Sequence, residues 1–277
     1  DTVSNGPGNL TSRWCMAGMP RGGRCIQRRT PVSDAEANAH ELHRRFVNPG
    51  WVDLLETLGF GRRYRRGLGT SLWDEDGREI LDFLAGFGVH NLGHNHPRLA
   101  EALCAAIDSG APSMLNVDAP PGQGRLAKRL SELTHPDLCR AAFANSGAEA
   151  VEFALTIARA ATGRQAIIAC EGAYHGLTTG ARSLLGDPQR RAGATPAAAV
   201  THVPFGDLAA LERALRSAPA AAFFVEPIQA EGGVRIPEDQ YLQEAARLCR
   251  QSGCLLAVDE IQTGLGRTGA CFATPFA

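Results

Sequence analysis

Residues 221–259, AAFFVEPIQAEGGVRIPEDQYLQEAARLCRQSGCLLAVD, carry the pattern that decides the fold. A strand is predicted over Ala221–Glu226, apolar until its closing carboxylate. A glycine-rich loop follows, then an amphipathic helix predicted over 238–252, then a second strand, Cys254–Asp259, again closed by a carboxylate. Strands that are apolar throughout and are joined by a helix belong in a parallel sheet covered on both faces.

The alternation continues upstream, with strands predicted at Ala141–Ala144, Ala166–Ala169 and Val200–Val203 and helices at 148–161 and 207–217. This is an α/β pattern, in which ligands sit beyond the carboxyl ends of the strands. Nearer the N-terminus, a helix is predicted over Asp34–Phe46 with Ser33 as its N-cap. Next comes a β-hairpin in which Leu72, Ile80 and Phe83 flank the turn Asp74–Gly77, the glycine supplying positive φ. A loop then leads to a helix opened by Pro97, with Asn95 or His96 as cap. Residues 1–30, rich in Gly, Pro and Arg, read as a disordered leader in preference to a transit peptide. The expected division is 1–30 leader, 31–95 the N-terminal part of a small domain, and 96–277 a large domain incomplete at its C-terminal end.

Composition narrows the function classes. The 277 residues are 44% hydrophobic, enough for a real core, and no apolar run reaches the length of a membrane span. A net charge of −1 offers nothing to nucleic acid or an anionic membrane. The eight cysteines stand singly, with no C-x-x-C pair, and only Cys249 and Cys254 lie near each other. Reduced thiols and a cytoplasmic location are expected.

Four blocks carry chemistry. NSGAEA (Asn145–Ala150) follows a predicted strand and opens a helix, so Ser146, Gly147 and Ala148 could present backbone N–H groups to a phosphate. Any strand–turn–helix junction favours the same small residues. In GAYHG (Gly172–Gly176), Tyr174 could stack on a flat heteroaromatic ring or simply cover the core. Asp259, at the mouth of a buried strand, needs a partner such as a pyridinium nitrogen, unless it caps its own turn. Gln262, three residues on, could reach a phenolic oxygen of such a ring. Glu226 and Glu231, in VEPIQAEGG, would suit a cationic ring and an amino substrate. No His or Cys stands beside them at metal-ligand spacing. His90, His94 and His96 imitate such spacing, but no second cluster completes a set, and no metal is expected. Ring, phosphate and charges together describe a site for pyridoxal 5'-phosphate, a coenzyme that needs a lysine as its Schiff-base partner. The chain has one lysine, Lys128, upstream of every block.

In this order the blocks resemble the class III (ω-type) aminotransferases, of fold type I, over roughly residues 48–274. The resemblance implies a homodimer that moves an amino group from an amino acid, diamine or ω-amine to an α-keto acid. It implies that Ser146, Gly147 and Ala148 hold the coenzyme phosphate, that Tyr174, with His175 beside it, covers the ring, and that Asp259 pairs with the ring nitrogen. Gln262 would contact the phenolic oxygen, and Glu226 would support the Asp259 side. Glu231 matches a glutamate that pairs with a mobile arginine, and Phe87 an aromatic that lines the substrate pocket. Leu177 departs from acetylornithine-type members, which carry an arginine there. The family's coenzyme lysine follows the GRTG loop by roughly two dozen residues, so the chain reads as a fragment with no catalytic residue of its own, inactive as it stands. The alternatives are an aminomutase, decarboxylase or racemase of the same fold, or a non-catalytic remnant.

Overall fold

The computed structural model describes residues 39–112, 115, 117–191 and 200–274. Its elements, in chain order, begin with α1 (Ala39–Phe46), α2 (Pro49–Thr57), β1 (Tyr64–Leu68), β2 (Ser71–Asp74), β3 (Glu79–Leu81), α3 (Pro97–Asp108) and α4 (Pro121–Ser131). They continue with α5 (Gly147–Thr162), β4 (Ala166–Cys170), α6 (Thr179–Ser183), α7 (Pro188–Arg191), β5 (Val200–Val203), α8 (Leu208–Ser217), β6 (Ala220–Val225), α9 (Tyr241–Ser252) and β7 (Leu255–Val258).

The expected hairpin is β2–β3, with Gly77 at φ +79° and its N–H donating to Asp74 O at 3.1 Å. Two details differ. The preceding YRRGL also pairs, so β1, β2 and β3 form a three-stranded antiparallel sheet, and Phe83 lies beyond β3, almost fully exposed. Pro97 does open α3, but His96 makes no side-chain cap bond and the Asn95 amide donates to Gly67 O instead. The Ser33 cap lies outside the described residues.

The second sheet is parallel throughout, in the order β5-β4-β6-β7. Every residue of β6 is buried, as its unbroken apolar run requires. One face packs Phe223 and Val225 against Leu211, Leu215, Ala245 and Leu248 of α8 and α9. The other packs Ala222 and Phe224 against Val151, Leu155 and Ala158 of α5. Helices therefore cover both faces, as expected. The strand predicted at 141–144 is a miss, because those residues join no ladder among the described residues. A strand is stabilised by its neighbour, and an apolar run with no partner alongside stays extended coil. Among the described residues no helix is long and apolar enough to cross a membrane.

Candidate active site

Strand register assembles the site. Val225 pairs with Val258, and the Asp259 N–H donates to Val225 O at 2.8 Å, extending the ladder by one residue. Glu226 and Asp259, each the first residue past its strand, are thereby neighbours at the carboxyl edge. β4 lies on the other side of β6, so its outgoing loop brings Tyr174 and His175 to the same edge. The N-terminus of α5 completes the cleft. About 320 Å³ in volume, it is lined by Gly147, Ala148, Tyr174, His175, Glu226, Asp259 and Gln262 among others.

Inside it, His175 Nδ1 and Asp259 Oδ2 are 2.8 Å apart with both side chains buried, and Asp259 Oδ1 accepts from the Ile261 N–H at 3.0 Å. The carboxylate thus caps its own turn and reaches across the cleft as well. His175 sets its ring edge against Phe224, with 6.1 Å between centroids. Glu226 Oε2 accepts from the Tyr174 N–H at 3.2 Å. Burial pushes the Glu226 carboxyl up to about 7, against the opposing pull of His175 and of the Tyr174 N–H.

Ser146 is the N-cap of α5, its Oγ accepting from the Glu149 N–H at 3.2 Å. The hydroxyl is engaged by the helix, and Ser146 is absent from the cleft wall. Glu149 reaches back to the Asn145 N–H at 2.7 Å, a variant of the reciprocal capping box. Gly147 and Ala148 head the helix, where N–H groups have no intrahelical partner and the dipole favours an anion. Gly176, at φ +115°, runs so close to this end that a Cβ on it would come within 2.6 Å of the Ala148 Cβ.

Two further expected site residues lie elsewhere. Glu231 is not in the cleft wall, and its carboxylate sits 3.7 Å from the Arg190 guanidinium. Phe87 is 68% exposed at φ +56°, while its neighbours Gly88 and Val89 line an adjoining cavity of about 540 Å³ that shares Asp259 and Ile261 with the cleft. Lys128 lies exposed on α4, paired with Glu132 one turn on. Among the described residues no group of His, Cys, Asp and Glu is arranged to hold a metal. His94 Nε2 instead pairs with Asp82 Oδ2 at 2.7 Å.

Several contributors were not foreseen. Ile228, Ile261 and Thr263 also line the cleft, and Thr263 donates to Glu260 Oε2 at 2.8 Å. Glu260 further accepts from the backbone N–H groups of Ala273 and Thr274, which ties the segment after the glycine-rich loop to the cleft floor. Gln229 is fully buried, and its amide donates to Glu171 O at 2.9 Å, pinning the Tyr174 loop to the 229–235 loop. Their only sequence signal was membership of the same blocks.

The cleft fits a phosphorylated, cationic ring on two observations. The positive end of α5 faces it from one side and paired carboxyl groups from the other. The His175 Nε2, buried in its wall, has no hydrogen-bond partner.

Residues 58–277 match the family described as Aminotransferase class-III. An acetylornithine aminotransferase of Methanopyrus kandleri is 43% identical over 209 residues, 75% of this chain and 53% of that protein. A putrescine aminotransferase of Pectobacterium atrosepticum is 37% identical, over 83% of this chain and 52% of that protein. The solved taurine:2-oxoglutarate aminotransferase of Bifidobacterium kashiwanohense, in complex with PLP and glutamate, superimposes with a TM-score of 0.73 at 29% identity, covering 88% of this chain and 59% of that one. The chain thus spans little more than half the length of these relatives.

Proposed function

Because this chain belongs to the class III aminotransferases, whose coenzyme is pyridoxal 5'-phosphate, we propose that the whole protein carries out transamination between an amine or amino acid and an α-keto acid. The observation that carries the reading is the buried Asp259–His175 pair opposite the N-terminus of α5, across a cleft of about 320 Å³. When bound, the coenzyme supplies an electron sink that lets a proton leave the amine-bearing carbon.

This chain's residues bind and orient. Gly147 and Ala148 offer N–H groups to the phosphate, Tyr174 covers the ring face, and Gln262 meets the phenolic oxygen. Asp259 holds the ring nitrogen's proton, with His175 fixing its carboxylate. Ser146 serves by capping the helix. Glu226 supports the Tyr174 loop and Asp259, and Glu231 meets substrate only if it leaves Arg190. Phe87 would bound the substrate side from the adjoining cavity. Domains divide at 31–95 and 96–277, a division supported by the two separate sheets. A homodimer is supported by Phe46, Trp51, Phe83 and Phe87, all more than half exposed. Free cysteines throughout the described residues favour the cytoplasm.

Glu226 makes the fold itself pH-dependent. Its folded-state pKa, about 7, exceeds the ordinary 4.5, so the stability it contributes is complete below about pH 4.5 and is lost as pH rises through 7. The loss is at most about 3 kcal/mol. Urea unfolding at about pH 5 and about pH 8 should show it in the wild type and not in Glu226→Gln. An undiminished slope in the variant assigns it to another group.

Leu177 bears on the substrate. It lines the cleft rim, 59% exposed, and gives no cation for an α-carboxylate there. We therefore assign the donor to diamines or primary ω-amines over N-acetylornithine. The test is a donor series on the coenzyme-loaded full-length protein, followed by the coenzyme's visible absorbance. Leu177→Arg should improve kcat/KM for N-acetylornithine by roughly tenfold or more, the worth of a charge-assisted hydrogen bond. Wild-type preference for N-acetylornithine over every amine lacking an α-carboxylate overturns the assignment, and no turnover of any donor overturns the transaminase reading.

A further inference from the structure

The adjacent cysteines, Cys249 and Cys254, have no part in the site. Both are buried, at 1% and 4% exposure. α9 ends in a Schellman turn, with Gly253 at φ +61° and the Cys254 N–H donating to Cys249 O at 2.9 Å. That six-to-one bond brings together the side chains on either side of the turn. It also bounds the Cα–Cα separation at about 6.8 Å, the upper edge of what a disulfide spans. The Cys254 thiol donates to Leu255 O at 3.5 Å, and the two thiols lie near enough to shift each other's acidity.

The turn is held from below by Arg164. Its Nη1 donates to Ala220 O at 3.1 Å, Ser252 O at 3.0 Å and Gly253 O at 2.8 Å. The Cys249 thiol lowers the pKa of Cys254, and the Arg164 charge acts in the same direction. Cys254 beside it and then burial raise Cys249, so Cys254 is the nucleophile of the pair. Both cysteines line a cavity of about 570 Å³ between α9, β7 and residues 134–138, room for a water-sized oxidant.

We propose that Cys249 and Cys254 are a reversible oxidation site, closed to a disulfide by hydrogen peroxide, that staples the end of α9 to the start of β7. The Cys254 thiolate attacks one peroxide oxygen and breaks the O–O bond, giving a sulfenic acid and, after protonation, water. The Cys249 sulfur then displaces the sulfenic oxygen as a second water. Two thiols lose two electrons, and one peroxide is reduced to two waters.

Trypsin cuts after Arg247, Arg250 and Arg267, so the disulfide would join peptide 248–250 to peptide 251–267. The experiment treats the full-length protein with a small excess of hydrogen peroxide, blocks remaining thiols with N-ethylmaleimide and maps peptides by mass spectrometry. The expected result is the linked pair in most of the treated protein, absent before treatment and reversed by dithiothreitol. Cys249→Ser should abolish the link and leave Cys254 as a trappable sulfenic acid. Both peptides carrying the maleimide after peroxide, Cys254 linked to another cysteine, or Cys254 driven to sulfinic acid without a link would each overturn the proposal.

Discussion

Replacing Asp259 with asparagine in the full-length protein lowers kcat by about 10²- to 10³-fold, the scale of losing one preorganised electrostatic partner of a transition state. The carboxylate sits where β7 ends, in contact with His175 on one oxygen and with the Ile261 N–H on the other. Asparagine keeps the side-chain shape and one acceptor, so the turn through Ile261 survives. It loses the charge that holds a ring nitrogen protonated, and the ring is a weaker electron sink. The check is steady-state kcat beside coenzyme content read from visible absorbance. The variant should keep the coenzyme and turn over slowly. Near wild-type turnover would reduce Asp259 to a cap of its own turn.

Phe223→Ala destabilises the fold by about 3–5 kcal/mol, a large part of the total stability of an ordinary domain. Phe223 is fully buried in the all-buried strand β6 and faces the α8–α9 layer. Removing the ring leaves a cavity between a strand and two helices whose backbones are fixed by their own hydrogen bonds. Phe224→Ala, on the opposite face, should cost a similar amount by opening the α5 layer. Only Phe224→Ala also releases the edge contact to His175, so only it should weaken coenzyme binding in variants compared at equal folded fraction. Urea titrations of both variants test the pair. A Phe223→Ala loss below about 1 kcal/mol would mean that the layer collapses onto the gap.

The α/β architecture was legible because local signals and burial agree. β4, β6 and β7 are apolar on both faces, the intervening helices are amphipathic, and each predicted boundary falls within three residues of the observed one. The run at 141–144 misled because apolar composition says that a segment could be buried, not that a partner strand lies beside it. β1 was missed as a separate strand for the converse reason: its arginines conceal a strand that pairs with the β2 edge, where the Arg66 guanidinium lies over the Trp73 ring at 4.5 Å.

By itself the sequence determined the residue types of the site and the order in which the strands deliver them: small residues at a helix start, an aromatic and a histidine after one strand, and a carboxylate closing each of two others. These are local properties, set by side-chain chemistry and by strand and helix period. Which of them meet was decided by tertiary structure. The Val225–Val258 register makes Glu226 and Asp259 neighbours, and the place of β4 beside β6 lets His175 reach Asp259 at 2.8 Å. It also set Glu231 against Arg190 and left Phe87 outside the cleft. A one-residue slip in β7 would turn Asp259 to the opposite face without changing a single local preference, because side chains alternate along a strand. Contacts between residues 84 positions apart are set by how strands pair, and pairing is a property of the packed chain.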